Sequence, residues 1–228
     1  MVAAPRPLHD ADRLNALRAY DLLADMNQQS LDDIVTVAGE VCGTPIAAVT
    51  LIEEYRQHFL ARRGIDTTET PRDHAFCGYT ILDTQPFIVN DASTDARFAD
   101  NPLVTGNPHI RFYAGAPLIT AEGHGLGALC VIDNHPRELT QSQLTVLEAL
   151  ARQVVTLFEM KRVMSQLADA LSRVRTLSQL LPVCAWCRKV RNDQDYWMSV
   201  ESYLQAQTGS VVTHGICPDC AENRFDSR

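Results

Sequence analysis

Apolar positions along this chain change period several times, and each change marks an element. Leu14, Leu17, Tyr20 and Leu23 recur three residues apart in a polar stretch, which predicts a first amphipathic helix. Leu31, Ile34, Val35, Ala38 and Val41 trace one face of a second, with Ser30 and Asp33 reading as a capping box at its start and Gly43 and Pro45 stopping it. Ile46–Ile52 is then a continuous apolar run of strand length, residues 56–61 mix polar and apolar side chains as a second strand does, and Gly64 closes the pair. Two helices followed by two adjacent strands do not make a βαβ unit. The pattern therefore predicts an α+β domain built on an antiparallel sheet.

The middle of the chain reads as short elements: a helix over 75–82, a strand at Phe87–Val89, an irregular segment over 91–109, then strands over 112–120 and 126–132 joined by a Gly-rich turn at 122–125. Thr140 with Gln143 forms another capping box and opens the longest helix. Its apolar positions run Leu147, Leu150, Val154, Leu157, then Met164, Leu167, Leu171, Val174 and Leu181, with Lys161 and Ser178 in the gaps and a three-residue step that shifts the heptad frame as a stammer does. About forty helical residues reach roughly 60 Å, longer than a small domain is wide. A parallel two-stranded coiled coil accounts for that length, and a first half folded back on the sheet is the alternative.

Charge divides the chain at the same place. Residues 1–160 hold 21 of the 28 acidic and 11 of the 20 basic side chains, whereas 161–228 have a slight basic excess. An acidic first part argues against nucleic acid as its partner, because phosphate binding relies on a positive surface. No apolar run approaches the roughly 18 residues of a membrane span. The first twelve residues carry no apolar core of a secretory signal, so the cytoplasm is the expected compartment.

The irregular middle carries a resemblance. The run Pro71-Arg-Asp-His-Ala-Phe-Cys77, then Val89-Asn-Asp91, Asp95-Ala-Arg-Phe98, Asn101-Pro-Leu-Val104, Arg111-Phe-Tyr-Ala-Gly-Ala-Pro-Leu118 and Leu126-Gly-Ala-Leu-Cys-Val-Ile-Asp133 resembles a GAF domain of the bacterial sensory subgroup over about residues 10–160. The resemblance implies a six-stranded antiparallel sheet. The first two helices and the last would lie on one face, and a ligand pocket under loops on the other. The cyclic-nucleotide signature of the family is absent, and Gly78 after Cys77 removes the Cys-His attachment site of phytochromes. Cys77, Asp91, Asp95, Arg97 and Arg111 fall in the segments that cap the pocket. The four charged residues among them either fix an anionic or amide ligand by charge-assisted hydrogen bonds or pair with one another to hold the loops. Cys42, Cys77 and Cys130 stand singly in apolar surroundings. Buried structural thiols are one reading, and the sulfoxide-reductase chemistry of small GAF proteins is the other.

The remaining cysteines form two pairs. Cys184-Ala-Trp-Cys187 and Cys217-Pro-Asp-Cys220 are separated by 29 residues, and two such turns complete the tetrahedral thiolate set that suits Zn²⁺. A thiol–disulfide pair or an iron–sulfur cluster is the alternative, and His214 could replace one cysteine. Between the pairs the pattern reads as a turn over 191–195, a helix over 197–206 and a strand over 210–213. Trp186, Val190, Tyr196, Trp197, Tyr203, Leu204, Val212, Ile216 and Phe225 are its candidate core, small enough that zinc binding would supply much of the folding free energy. The string also resembles a cysteine-rich extension found after GAF, PAS and receiver domains in bacterial signalling proteins.

The expected organisation is a GAF sensor over 10–160, a helix extension over 161–181 and a four-cysteine, zinc-knuckle-like module over 182–228. The chain is expected to be a cytoplasmic, homodimeric sensor or adaptor, with no catalytic motif of its own, that binds an unknown small molecule and passes the signal to a protein partner. A thiol redox role and DNA binding through the last module are the competing readings.

Overall fold

The computed structural model describes residues 2–20, 22, 28–178, 182–192, 194–209, 211, 213, 215–218 and 220. The chain divides into two compact units, Met1–Gln166 and Leu167–Arg228. In the first, α1 (Asp10–Tyr20) and α2 (Gln28–Cys42) precede β1 (Ile46–Ile52), β2 (Arg56–Arg63) and β3 (Glu69–Pro71). A 3₁₀ turn (Arg72–His74), α3 (Cys77–Thr80), β4 (Phe87–Val89) and α4 (Pro102–Thr105) lead to β5 (Phe112–Ile119), β6 (Gly125–Asp133) and α5 (Gln141–Ser178).

The six strands form one antiparallel sheet in the order β3-β2-β1-β6-β5-β4. The continuous apolar runs β1 and β6 are central and buried along their whole length, as strands covered on both faces must be. On the back face, Leu14, Leu17 and Tyr20 of α1, Leu31, Val35, Ala38 and Cys42 of α2, and Leu147, Ala151, Val154 and Phe158 of α5 pack on alternate residues of the sheet such as Val49, Ala116 and Val131. The other face carries a second apolar cluster around Ile52, Phe59, Tyr113 and Ile132, closed by Phe76, Phe98 and Val104 from the irregular segments. Phe76 stacks on Phe98 with ring centroids 4.0 Å apart.

Three details differ from the sequence expectation. Helix α2 already includes Gln28, so Ser30 lies inside it; Gln28 and Gln29 donate to Asp32 and Asp33 four residues on, bonds that support an earlier start. Its buried line is Leu31, Val35, Ala38 and Cys42, which leaves Val41 exposed. The helix expected over 75–82 is the single turn α3, because Ala75 is extended and Phe76 turns its ring into the front cluster. At α5 the capping box forms as expected, Gln143 N donating to Thr140 Oγ1 and Thr140 N to Gln143 Oε1. Leu23 and Leu181 lie outside the described residues.

The expected stammer in α5 dissolves once burial is known. Up to Phe158 the helix follows the sheet, with Leu147, Ala151, Val154 and Phe158 inward. Beyond it, Met160, Met164, Leu167 and Leu171 recur at four- and three-residue steps with 56–67% of their surfaces exposed, an unbroken heptad seam that Lys161 does not enter.

A buried charged knot ties α1 to the sheet. Arg13 donates to Asp10 at 2.7 Å and to the Ile52 carbonyl at 2.7 Å, while Arg72 grips both Asp10 oxygens at 2.8 and 3.1 Å and reaches the Glu53 carbonyl. Burial works against ionising Asp10, but the bonds from Arg72 and Arg13 outweigh it and hold the carboxyl below its usual range. Asp133, also buried, is likewise held low by His135 and Arg137. A carboxylate whose folded pKa is depressed contributes stability above its unfolded pKa of about 4 and loses it as pH falls through the folded value. The urea midpoint is therefore expected to be flat between neutral pH and about pH 5 and to drop steadily below about pH 4.

In the second unit, Val190–Arg191 (β7) pairs with Trp197–Met198 (β8), and Val183 bridges to Val190. Helix α6 (Val200–Thr208) starts three residues later than expected because Ser199 caps it, its Oγ accepting from Ser202 N at 3.1 Å. Residues 211 and 213 carry no strand pairing, and 210 and 212 lie outside the described residues. The expected core does not assemble as a set. Val190 is buried, whereas Trp186 is 96% exposed and Tyr196 and Ile216 are also exposed, since so short a segment offers few partners. Val212, His214 and Phe225 are not described. Among the described residues, no helix is long and apolar enough to cross a membrane.

Candidate functional site

The front cluster does not fill the space beneath it. A cavity of about 500 Å³ lies between the sheet, where Gln57, Phe59, Tyr113 and Ile132 form its floor, and the cover made by residues 64–67, the Phe76-Cys77 step and the segment 103–110. Its size suits a small organic ligand. The wall is mostly apolar, and two of its residues, Gln57 and Thr70, carry buried side-chain oxygens, Oε1 and Oγ1, that have no protein partner. Gln57 is only 5% exposed, on the inward parity of β2 with Phe59. Asp66 is the one carboxylate among the described lining residues, and no Lys or Arg is among them.

Cys77 is the one candidate that stands in this wall. Tyr113 Oη donates to its Sγ at 3.2 Å, and Thr80 Oγ1 lies 2.7 Å from the same phenol. Gly115 makes room for this chain of bonds, since a Cβ there would sit 2.2 Å from Tyr113 Oη. Burial, reinforced by the Cys77 sulfur, pushes the Tyr113 phenol far above its usual range, so it stays a donor.

The other four candidates hold loops. Asp95 takes Arg97 Nε and Nη2 at 2.9 and 2.6 Å, and the guanidinium lies over the rings of Phe87, Phe98 and Tyr79. Asp91 caps its own turn through Ser93. Arg111 Nη1 donates to the Val104 and Ile110 carbonyls at 3.0 Å each. None of the four is in the cavity wall. Gln57, Thr70 and Tyr113 were not singled out from the sequence; a glutamine on the inward parity of an otherwise apolar strand face is the signal that marks the first.

The second unit shows a thiol-binding turn. Cys187 N points at Cys184 Sγ from 3.5 Å, Cys184 N donates to the Lys189 carbonyl at 2.8 Å, and Arg188 closes the turn at φ 59°. Backbone N–H groups of Cys187 and Trp186 hold the half-buried Cys184 thiol below its usual range. Pro218 and Cys220 are helical, as expected for a second pair at a helix start. Among the described residues, no three His, Cys, Asp or Glu side chains converge as a metal set. Cys187, Cys217 and Cys220 are exposed.

Comparison with known proteins places this geometry. Residues 27–157 match the family model described as the GAF domain. A cyclic di-GMP phosphodiesterase of Pseudomonas aeruginosa is 43% identical over 156 residues, covering 68% of this chain and 27% of its own length. The chain thus spans about a quarter of that relative. Among solved structures, the GAF domain of a phosphoenolpyruvate-protein phosphotransferase from Coxiella burnetii superposes with a TM-score of 0.53 at 15% identity, over 68% of this chain and 98% of that one. The free methionine-R-sulfoxide reductase of Neisseria meningitidis, in complex with its substrate, gives 0.50 at 19% identity over 72% and 99%. At these identities the structural likenesses speak to fold alone.

Proposed function

This chain belongs to the GAF domain family, and on that premise we propose that it is a cytoplasmic signal-sensing adaptor. A small uncharged molecule occupies the cavity, and its presence is passed along α5 of a parallel dimer to a zinc-bearing C-terminal module and on to a protein partner. A relative named as a cyclic di-GMP phosphodiesterase supports the signalling context.

The observation that carries the reading is the cavity itself, lined by Gln57 and Thr70, whose buried side-chain oxygens have no protein partner. Each costs about 1–3 kcal/mol while unsatisfied. A ligand with an N–H or O–H donor toward Gln57 recovers that cost. An anionic ligand finds no countercharge among the described lining residues, and the one carboxylate there, Asp66, is exposed to water and offers a cation little, which favours an uncharged ligand. Denaturing protein purified from its own host is expected to release such a molecule, seen by liquid chromatography and mass spectrometry. The Ile132→Trp variant, with the cavity filled, releases none; identical extracts from both proteins contradict the reading.

The exposed seam Met160, Met164, Leu167 and Leu171 supports a second copy of α5 as its cover, since a heptad stripe is self-complementary. Wild-type chain is expected to sediment as a dimer at tens of micromolar, and Leu167→Asp with Leu171→Asp as a monomer. Helix pairing shifts with occupancy only if the ligand binds the two helix arrangements unequally.

Cys184, Cys187, Cys217 and Cys220 would hold the zinc. The N–H groups aimed at Cys184 Sγ suit a metal-bound thiolate, and this is the feature of the second unit that supports the assignment. Bound Zn²⁺ supplies cross-linking of two chain segments, a folding role.

A further inference from the structure

Phe158 is the last residue of α5 in the back-face core, and the exposed seam begins just beyond it at Met160. A group of polar side chains stands at that exit. Tyr20, the last residue of α1, donates through its Oη to Glu159 Oε1. The other carboxylate oxygen, Oε2, takes Arg162 Nε at 3.0 Å and Nη2 at 2.8 Å. The Arg162 guanidinium lies over the Tyr20 ring, 5.1 Å from its centroid, and its Nη2 is 3.8 Å from Glu122 in the turn between β5 and β6. Tyr20, Glu159 and Arg162 thus close a ring of contacts in which each touches the other two.

We propose that Tyr20, Glu159 and Arg162 form a clamp that sets the rotation of α5 where it leaves the sheet, and that this rotation turns Met160 and Met164 toward a second copy of the chain. The inference rests on the pairing of α5 proposed above and adds what aims the helix.

Heptad position carries the argument. With Met160, Met164, Leu167 and Leu171 at d, a, d and a, Glu159 falls at c and Arg162 at f, on the side of the helix away from the seam. The clamp therefore grips α5 from behind and leaves the seam clear. Burial of Leu147, Ala151, Val154 and Phe158 keeps the helix on the sheet, but apolar contact is non-directional and tolerates some turning. Hydrogen bonds do not, since they weaken steeply with angle. Turning α5 pulls Glu159 off the Tyr20 hydroxyl and lifts Arg162 from the ring. Tyr20 itself is a fixed post, 4% exposed and packed in the back-face core. Burial, reinforced by the Glu159 carboxylate, pushes its phenol above the usual range, so it keeps its proton and stays a donor. The pairing of Glu159 with Arg162 three residues on holds the carboxylate toward Tyr20.

Hydrogen exchange of the full chain, read by mass spectrometry, tests the clamp. Tyr20→Phe keeps the ring and removes the donor, and Glu159→Gln keeps an acceptor and removes the charge that Arg162 pairs with. In each variant the amides over 159–166 are expected to exchange about tenfold faster, the effect of one lost hydrogen bond to a charged group, while those of β6 keep their wild-type rates. Unchanged exchange over 159–166 overturns the proposal. So does an equal acceleration in β6, the mark of a role in general stability alone. Methionine oxidation by H₂O₂ reads the aim of the helix. In the paired wild-type chain Met160 and Met164 are expected to oxidise more slowly than in the monomeric variant with Leu167→Asp and Leu171→Asp. In a paired variant with Tyr20→Phe and Glu159→Gln together, Met160 oxidises as fast as in the monomer, and protection that survives there overturns the proposal. A wild-type chain that sediments as a monomer contradicts the pairing instead, and exchange over 159–166 then decides the clamp by itself.

Discussion

Replacing Asp10 with alanine is expected to destabilise the first unit by about 3–5 kcal/mol. The reason is what the substitution leaves behind. Arg13 and Arg72 are 2% and 7% exposed, and among the described residues both take their carboxylate partner from Asp10 alone. Without it, two guanidinium groups remain buried near one another, with backbone carbonyls such as those of Ile52 and Glu53 as their remaining partners. Urea denaturation at pH 7 is the measurement. The midpoint falls while the slope is unchanged, since the surface exposed on unfolding is the same. Asp10→Asn keeps an acceptor and loses less. Replacing Asp10, Arg13 and Arg72 together by apolar residues of similar volume is expected to cost less than Asp10→Ala, because no charge is then stranded.

Stripping metal from the C-terminal module is expected to have the second large effect. Structural zinc sites of this kind contribute about 10–16 kcal/mol of apparent binding free energy at neutral pH. A segment with so few buried side chains has little else to hold it, Val190 being its buried apolar residue among those described. The chain's two tryptophans, Trp186 and Trp197, both lie in this module, so tryptophan emission reports on it and not on the GAF domain. One zinc per chain by metal analysis is the expected content. Chelation then shifts the emission of half-exposed Trp197 to the red while the thermal transition of the first unit stays in place. Cys184→Ser reproduces the chelated spectrum without chelator. A chain that carries no zinc, or whose emission ignores chelation, contradicts the metal assignment.

How far these features could be read from the chain depends on how local their causes are. Ile46–Ile52 and Phe87–Val89 match their strands end to end, because a run of apolar residues bounded by turn formers states both its period and its length. The Thr140 and Gln143 cap is equally local, three residues of chain forming two bonds. Ser30 misled because Gln28 and Gln29 pair with Asp32 and Asp33, and so support helix where a cap was expected. The heptad frame of α5 was misread for a tertiary reason. The sheet claims Leu147 through Phe158, and only the residues beyond it form the seam.

The site was legible in part. Cys77 was identified as a pocket residue. Asp91, Asp95, Arg97 and Arg111 were legible as charged loop residues, but which task they serve depended on distances of about 3 Å that no pattern encodes. Gln57 and Thr70 were hidden because a polar residue on a strand announces itself only when its facing parity is known.

The central claim is that the cavity beneath Cys77 holds a small uncharged molecule in a dimeric chain. Native mass spectrometry of the full chain purified from its own host tests it most directly. The account predicts paired chains, each heavier than its sequence by one zinc and one small molecule, with the small-molecule increment lost in Gln57→Leu while the zinc and the pairing persist. Single chains at the bare sequence mass, or a small-molecule increment that Gln57→Leu leaves untouched, contradict it.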